Sequence, residues 1–285
     1  MGFMINPKKV LVIGATGHVG GQVVSQLAAA GTEVRALSRK PPASAPGVEA
    51  FRGDLSAPET LEPALRGVDA VFVTWPFLGP DAARAIVATI AEHARHVVLL
   101  SSGAVRDDLD EQPHPIGAAH ADIERPIRES GMDWTFLRPY AFATNTLEWA
   151  PDIRAGDVVR GAYGAAAMTM IHEADIAAVA VRALTTDGHA GARYELTGSE
   201  PLTRVQQVEA IGRALGRELR WEEISREAAK ERMTWTAPDI AEIVLDSFAS
   251  VVGSRAPGTS TVEDVLGVPP RSYQQWAVDH VADFS

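Results

Sequence analysis

The chain has 285 residues, 46% of them hydrophobic, with a formal net charge of −11 and no cysteine. The missing cysteines exclude disulfides, zinc–thiolate and iron–sulfur centres and thiol nucleophiles. The acidic balance disfavours sequence-independent binding to nucleic acid or anionic membrane, and the apolar share suffices for one large domain with or without a smaller lobe.

Two lysines, a short apolar run and a glycine loop open the chain, which reads as a buried first strand and not as a cleaved leader. No apolar run reaches the ~18 residues of a membrane span, so a cytoplasmic protein is expected. Strands are expected over residues 10–13, 33–37, 50–52, 70–74, 97–101 and 134–137. Helical patterns fall between them at 19–30, 58–66, 81–93 and 119–130, with Gly31 stopping the first and Asp81 placed as N-cap of the third. Continuous apolar strands alternating with helices predict a parallel sheet covered on both faces, a Rossmann-type doubly wound α/β fold. The second half is less regular. A helix is expected at 174–184, a strand at 193–197 with a return to the main sheet as one alternative, a helix at 205–215 ended by Gly216, and a strand at 219–224. This divides the chain into a dinucleotide-type domain, 1–145, and a smaller mixed α/β lobe, 146–285, partly interleaved with the sheet. An open sheet of this type binds its ligand at the carboxyl ends of its strands.

The strongest local signal is Gly14-Ala15-Thr16-Gly17-His18-Val19-Gly20, directly after the first strand and opening a helix. Glycines there permit a tight turn and close approach of backbone N–H groups to a pyrophosphate, and the helix N-terminus favours negative charge. At the end of the second strand an NAD site places a carboxylate against the ribose 2′-hydroxyl. This chain has Leu37-Ser38-Arg39-Lys40, two cations suited to a 2′-phosphate, so NADP(H) is the expected cofactor. The alternative for these cations is a solvated basic turn. Asp54, in Gly53-Asp54-Leu55, either accepts a hydrogen bond from an adenine amino group or caps the next helix.

These glycines at G-x-x-G-x-x-G spacing, Gly53-Asp54-Leu55, Leu100-Ser101-Ser102-Gly103, the stretch Glu129-Ser130-Gly131-Met132-Asp133-Trp134-Thr135-Phe136-Leu137-Arg138-Pro139, and Val268-Pro269-Pro270-Arg271-Ser272-Tyr273 resemble, in that order, the NmrA-like atypical short-chain dehydrogenases. That family holds dinucleotide-binding regulators, NADPH-dependent quinone reductases, and tailoring reductases or oxygenase partners of aromatic natural products. Ordinary short-chain dehydrogenases carry a Tyr-x-x-x-Lys acid pair. Anchored on Glu124, the resemblance puts Ile116 at the tyrosine position and His120 at the lysine position, as in the quinone-reductase branch, with Ser102 at the usual catalytic serine. His120 and Glu124 share a helical face. The resemblance implies that His120 touches the nicotinamide ribose or donates a proton, against the alternative of a structural histidine. It implies Ser102 as a ligand contact or turn cap, and Tyr140 as a candidate acid or packing residue. Thr74, Trp75, Pro76, Phe77, Ser101 and Pro139 would lie along the cofactor, with Trp75 and Phe77 as an aromatic wall or as core. Phe142, Asn145, Trp149, Tyr163 and Met168 are candidate substrate contacts. Asp175 reads as structural, and no spacing suggests a metal site.

The expected function is an NADPH-dependent reductase of a quinone or similar conjugated aromatic, a monomer or homodimer acting on a small molecule, with tailoring or oxygenase chemistry as an extension. A dinucleotide-sensing regulator of a partner protein is the rival, and a reductase of imines or enones, or an isomerase, a third reading.

Overall fold

The computed structural model describes residues 9–40, 44–76, 79–234, 238–254, 256 and 258–285. The chain divides into two compact units. The first comprises Met1–Tyr140, Glu173–Leu196 and Thr261–Val268; the second comprises Ala141–His172, Thr197–Ser260 and Pro269–Ser285. The division thus falls after Tyr140 and not after residue 145, and the chain re-enters the first unit twice.

In chain order the first unit builds β1 (Lys9–Ile13), α1 (His18–Ala29), β2 (Glu33–Ser38), β3 (Val48–Arg52), α2 (Glu62–Leu65), β4 (Ala70–Thr74), α3 (Pro80–Ala91), β5 (His96–Leu100), α4 (Pro115–Glu129) and β6 (Asp133–Pro139). After α5 (Ala150–Ala155), β7 (Val158–Gly161) and β8 (Ala167–Met168) in the second unit, α6 (Glu173–Thr185) and β9 (Ala192–Leu196) return to the first. The seven strands form one sheet in the order β3-β2-β1-β4-β5-β6-β9, with every pairing parallel. The order reverses between β1 and β4, the switch point where such sheets hold ligands.

The strands are apolar throughout because both faces are covered. Leu11, Ile13, Val71, Val73, Val97 and Leu99 pack in one cluster with Ile86 and Ile90 of α3 and Ile123 and Ile127 of α4. On the opposite face Val10, Val12, Phe72 and Val98 are fully buried, and α1 and α6 pack against each other there. Each such side chain contributes ~1.5–3 kcal/mol by leaving water.

Local chemistry moved two expected boundaries. Gly79, with φ 84°, is the N-cap of α3 and Pro80 its first residue, so Asp81 sits in the first turn and is not the cap. Pro115 likewise starts α4 a turn earlier than expected, with the His114 ring accepting from the Ile116 N–H. The helix expected over 58–66 is a 3-10 turn, Pro58–Thr60, followed by the single turn of α2.

The second unit continues with β10 (Leu202–Thr203), α7 (Arg204–Leu215), β11 (Arg220–Glu223), α8 (Arg226–Arg232) and α9 (Pro238–Val251). The helix Thr261–Leu266 belongs to the first unit, and Tyr273–Asp279 and Val281–Phe284 to the second. β7 pairs with β11 in parallel and β8 with β10 antiparallel. α7 opens on a reciprocal Thr203/Gln206 capping box and ends at Gly216 in the left-handed region. Its core gathers Trp149, Ile153, Val159, Ile211, Tyr273 and Trp276. No described helix is long and apolar enough to cross a membrane.

Candidate functional site

The parallel sheet brings the carboxyl ends of β1 to β6 to one edge of the first unit, and most of the sequence-derived candidates stand there. Gly14 takes φ 86°, and a Cβ on it would lie 2.9 Å from the Thr74 side chain at the end of β4. A Cβ on Gly20 would lie 2.2 Å from the Gly14 carbonyl oxygen. Only glycine therefore lets α1 start this close to β1. Gly14 and Ala15 donate to the Leu37 carbonyl, and Gly17 donates back to Gly14. Gly17 is the N-cap of α1 with no side-chain cap, so the first-turn N–H groups of His18, Val19 and Gly20 have no intrahelical acceptor. Thr16, Gly17 and His18 are exposed, while Val19 contributes backbone only, its side chain being buried.

At the end of β2, Ser38 is 8% exposed, and its Oγ is buried without a hydrogen-bond partner. Arg39 and Lys40 follow it, both exposed. Asp54 accepts from the Ser56 N–H at 2.9 Å, and that bond and the Ser56 side chain hold its carboxyl below the usual range. Thus Asp54 organises its own turn. The Leu55 side chain is core. Glycine loop, orphaned Ser38 Oγ and paired exposed cations together suit a phosphorylated dinucleotide, with N–H groups for the pyrophosphate and cations at the ribose end.

Trp75 is 4% exposed, and its Nε1 donates to the Ala119 carbonyl at 3.0 Å. Its ring is core and not a wall of the cleft; only backbone remains there to touch a ligand. Pro76 is exposed. Phe77 lies outside the described residues.

Behind the edge is a network that the sequence reading missed. Arg138, 3% exposed, donates from Nε and Nη2 to Glu124 at 3.0 and 2.6 Å, and from Nη1 and Nη2 to Asp107 at 2.7 and 2.9 Å. The fully buried Glu124 also accepts from Ser101 Oγ at 2.5 Å. Burial alone would lower the Arg138 pKa, but its bonds to Asp107 and Glu124 outweigh this and raise it. Ser101 is thereby committed to the protein. The network ties β5, α4 and β6 together directly beneath Ser102 and Pro139. A signal was present: Arg138 closes the apolar run 134–137, and a cation at the end of a buried strand has to find carboxylates.

Three candidate proton donors stand at this edge. Ser102 Oγ accepts from the Ala104 N–H at 3.1 Å and so caps its turn. His120 is 7% exposed, with Nδ1 2.9 Å from the Ile116 carbonyl. A carbonyl only accepts, so Nδ1 carries the proton and Nε2 of the neutral ring is an acceptor. Burial lowers the His120 pKa against the bond to Ile116 and the field of Glu124, which favours that neutral form. Glu124 acts on His120 through its field, its hydrogen bonds being taken by Ser101 and Arg138. Tyr140 is 42% exposed, its ring against Gly103, where a Cβ would come within 2.9 Å. Its hydroxyl donates to Glu195 at 3.0 Å, and burial and that carboxylate raise its pKa.

The candidate substrate contacts Phe142, Asn145, Trp149, Tyr163 and Met168 belong to the second unit. Phe142 and Met168 are half-buried and Asn145 exposed. Trp149 is 4% exposed, in the core of that unit. Tyr163 has φ 61°, and its hydroxyl accepts from Arg226. Asp175 is buried in α6 of the first unit. Among the described residues no group of three or more His, Asp or Glu side chains is placed to hold a metal.

Residues 14–187 match the NAD(P)H-binding family. The chain is 41% identical to a (4-alkanoyl-5-oxo-2,5-dihydrofuran-3-yl)methyl phosphate reductase of Streptomyces griseus, over 97% of this chain and 99% of that protein. It is 36% identical to the NAD(P)H azoreductase of Xenophilus azovorans, over 96% and 99%. The NADPH-dependent quinone oxidoreductase of Escherichia coli, solved with NADPH, shares the fold with a TM-score of 0.77 at 22% identity, covering 95% of this chain and 99% of that one. The glycine loop, the parallel sheet reversing at β1/β4 and the full-length likeness to reductases agree: the chain belongs to the NAD(P)H-binding family and is an NAD(P)H-dependent oxidoreductase.

Proposed function

We propose that the chain is an NADPH-dependent reductase of small, electron-poor conjugated acceptors: quinones, azo compounds or carbonyl-conjugated double bonds. The observation carrying this reading is the state of the proton donors. The Nδ1 proton of the neutral His120 is held by the Ile116 carbonyl and the Tyr140 hydroxyl donates its hydrogen bond to Glu195, while the Ser102 hydroxyl, which caps its turn, keeps an O–H that can orient an acceptor without being an acid. A simple ketone needs a positioned acid as charge develops on oxygen, an effect worth about 10²–10⁴ in rate. A conjugated acceptor spreads that charge over its own framework and takes the proton from water. The substrates named for the relatives fit one description: an azo compound, a quinone, and an oxo-dihydrofuran whose ring double bond adjoins an alkanoyl group.

NADPH, when bound, supplies the hydride. The N–H groups of the Gly14–Gly20 loop hold the pyrophosphate, and Arg39, Lys40 and Ser38 the 2′-phosphate. His120, neutral in its buried setting, would stand beside the nicotinamide ribose. The Arg138–Glu124–Asp107 network fixes the loop after β5, so that Ser102 and the Thr74–Pro76 backbone orient the reacting groups.

The test mixes purified protein and NADPH with quinones, azo dyes, unsaturated lactones and unconjugated ketones, following loss of the reduced-nicotinamide absorbance. Turnover confined to the conjugated acceptors is expected, and Tyr140→Phe should change it by less than about tenfold, far short of the loss of a general acid. Fast reduction of unconjugated ketones overturns the reading; tight NADPH binding with no turnover replaces it with a dinucleotide sensor.

A further inference from the structure

The second unit holds a cavity of about 80 Å³ that none of the chemistry above uses. One water needs only ~15 Å³ measured this way, so the space admits a group of several heavy atoms. At its wall stands Arg204, the first residue of α7 and 6% exposed. Three rings surround its guanidinium, Phe248 at 4.0 Å and Trp149 and Trp221 at 5.2 Å. They supply cation–π attraction but no lone pair for its N–H donors.

The polar accounting of Arg204 is incomplete. Among the described residues, only Nη2 of its five N–H donors has an acceptor, Glu148 Oε1, at a long 3.3 Å, while Nε is buried with no partner there. The other cavity carboxylate, Asp152, is taken by Arg232 in two bonds of 2.6 and 2.7 Å. A buried cation this poorly matched is costly, and a hydrophobic side chain would pack the same space more cheaply. Burial pulls the Arg204 pKa down against the fields of Glu148 and Glu223, so the desolvation of the cation outweighs its anionic surroundings. The α7 N-terminus adds a positive field on the same side. The rest of the lining is mixed: Trp149, Met233, Leu245 and Phe248 form its apolar part, and Glu148, Asp152, Arg160 and Arg232 its charged part.

We propose that this cavity binds an organic oxyanion, whose carboxylate or phosphate group accepts from the unpaired N–H donors of Arg204 and whose apolar part lies against Trp149, Leu245 and Phe248. A planar guanidinium suits either group, since both offer two oxygens at matching spacing.

The experiment uses the full chain and reads binding, so its result is independent of whether any acceptor turns over. Hexanoate, hexyl phosphate, inorganic phosphate and hexylamine are each titrated at constant ionic strength, following the Arg204 Nε–H resonance by nitrogen-15 NMR. Hexanoate or hexyl phosphate should move that resonance saturably, and the tighter of the two names the group. Inorganic phosphate should bind at least tenfold more weakly than hexyl phosphate, and hexylamine should not bind. Arg204→Met should weaken the organic anions at least tenfold by tryptophan fluorescence. The wild-type resonance keeps the test decisive should that variant fold poorly. An Nε–H signal that neither organic anion moves, equal binding of hexylamine, or affinity unchanged in Arg204→Met overturns the proposal. Inorganic phosphate binding as tightly as hexyl phosphate overturns its apolar half.

Discussion

Each unit buries an arginine, and the two are treated in opposite ways. Arg138 in the first unit meets carboxylates on both sides of its fork, and its pKa rises. Arg204 in the second meets three rings and, among the described residues, a single carboxylate at hydrogen-bond distance, and its pKa falls. Burial is alike; the supply of acceptors is not. A guanidinium with its donors spent is a staple between strands and helix, and one with donors unspent is suited to receive an anion.

The comparison breaks most visibly at Glu124. Glu124→Leu leaves Arg138 buried beside Asp107 alone, and urea unfolding should show a loss of about 3–5 kcal/mol. A loss below about 1 kcal/mol would mean that Asp107 suffices and the network is no staple. Arg39 sharpens the contrast from outside, being exposed and free of any structural task that burial imposes. Arg39→Ala should leave stability unchanged and weaken NADPH about tenfold, roughly 1.4 kcal/mol, while NADH is unaffected. Equal loss for both dinucleotides, or none, would remove Arg39 from the 2′-phosphate. Arg204→Met should alter stability by no more than about 1 kcal/mol, and in the stabilising direction if at all, because an apolar side chain replaces an under-paired buried cation. Destabilisation on the scale of Glu124→Leu would make Arg204 a second staple.

The smallest effect is a pH dependence within the first unit. Burial lowers the pKa of His96, His120 and His189. The unfolded chain therefore takes up protons at higher pH than the folded one. Their contribution is complete above about pH 6.5 and is lost as pH falls through the lowered folded values. Calorimetry across this window should show the melting temperature falling on acidification, less steeply in His120→Gln. An identical slope in that variant would show that His120 titrates alike in both states.

How much could be read in advance differs by kind of signal. The sheet was legible because strands covered on both faces need continuous apolar runs, and β4 begins and ends where expected, at Ala70 and Thr74. The glycine loop was legible because its conformation and close approaches admit no other residue at Gly14 and Gly20. Helix starts were less so: Asp81 is a good capping type, but Pro80 behind Gly79 decided the entry geometry. The sequence leaves Trp75 open between cleft wall and core and makes Trp149 a candidate substrate contact; both are buried, since an aromatic type does not say which way a loop turns its ring.

What the sequence determined by itself was thus whatever is local: periodicity, the glycine βα turn and the two cations at the end of β2. Tertiary structure alone decided the partners of the charges. Arg138 lies 31 residues from Asp107 and 14 from Glu124, and Arg204 lies 56 residues from the carboxylate it bonds, Glu148. Electrostatic pairing depends on distance in space and on exclusion of water, and neither is a property of position along the chain.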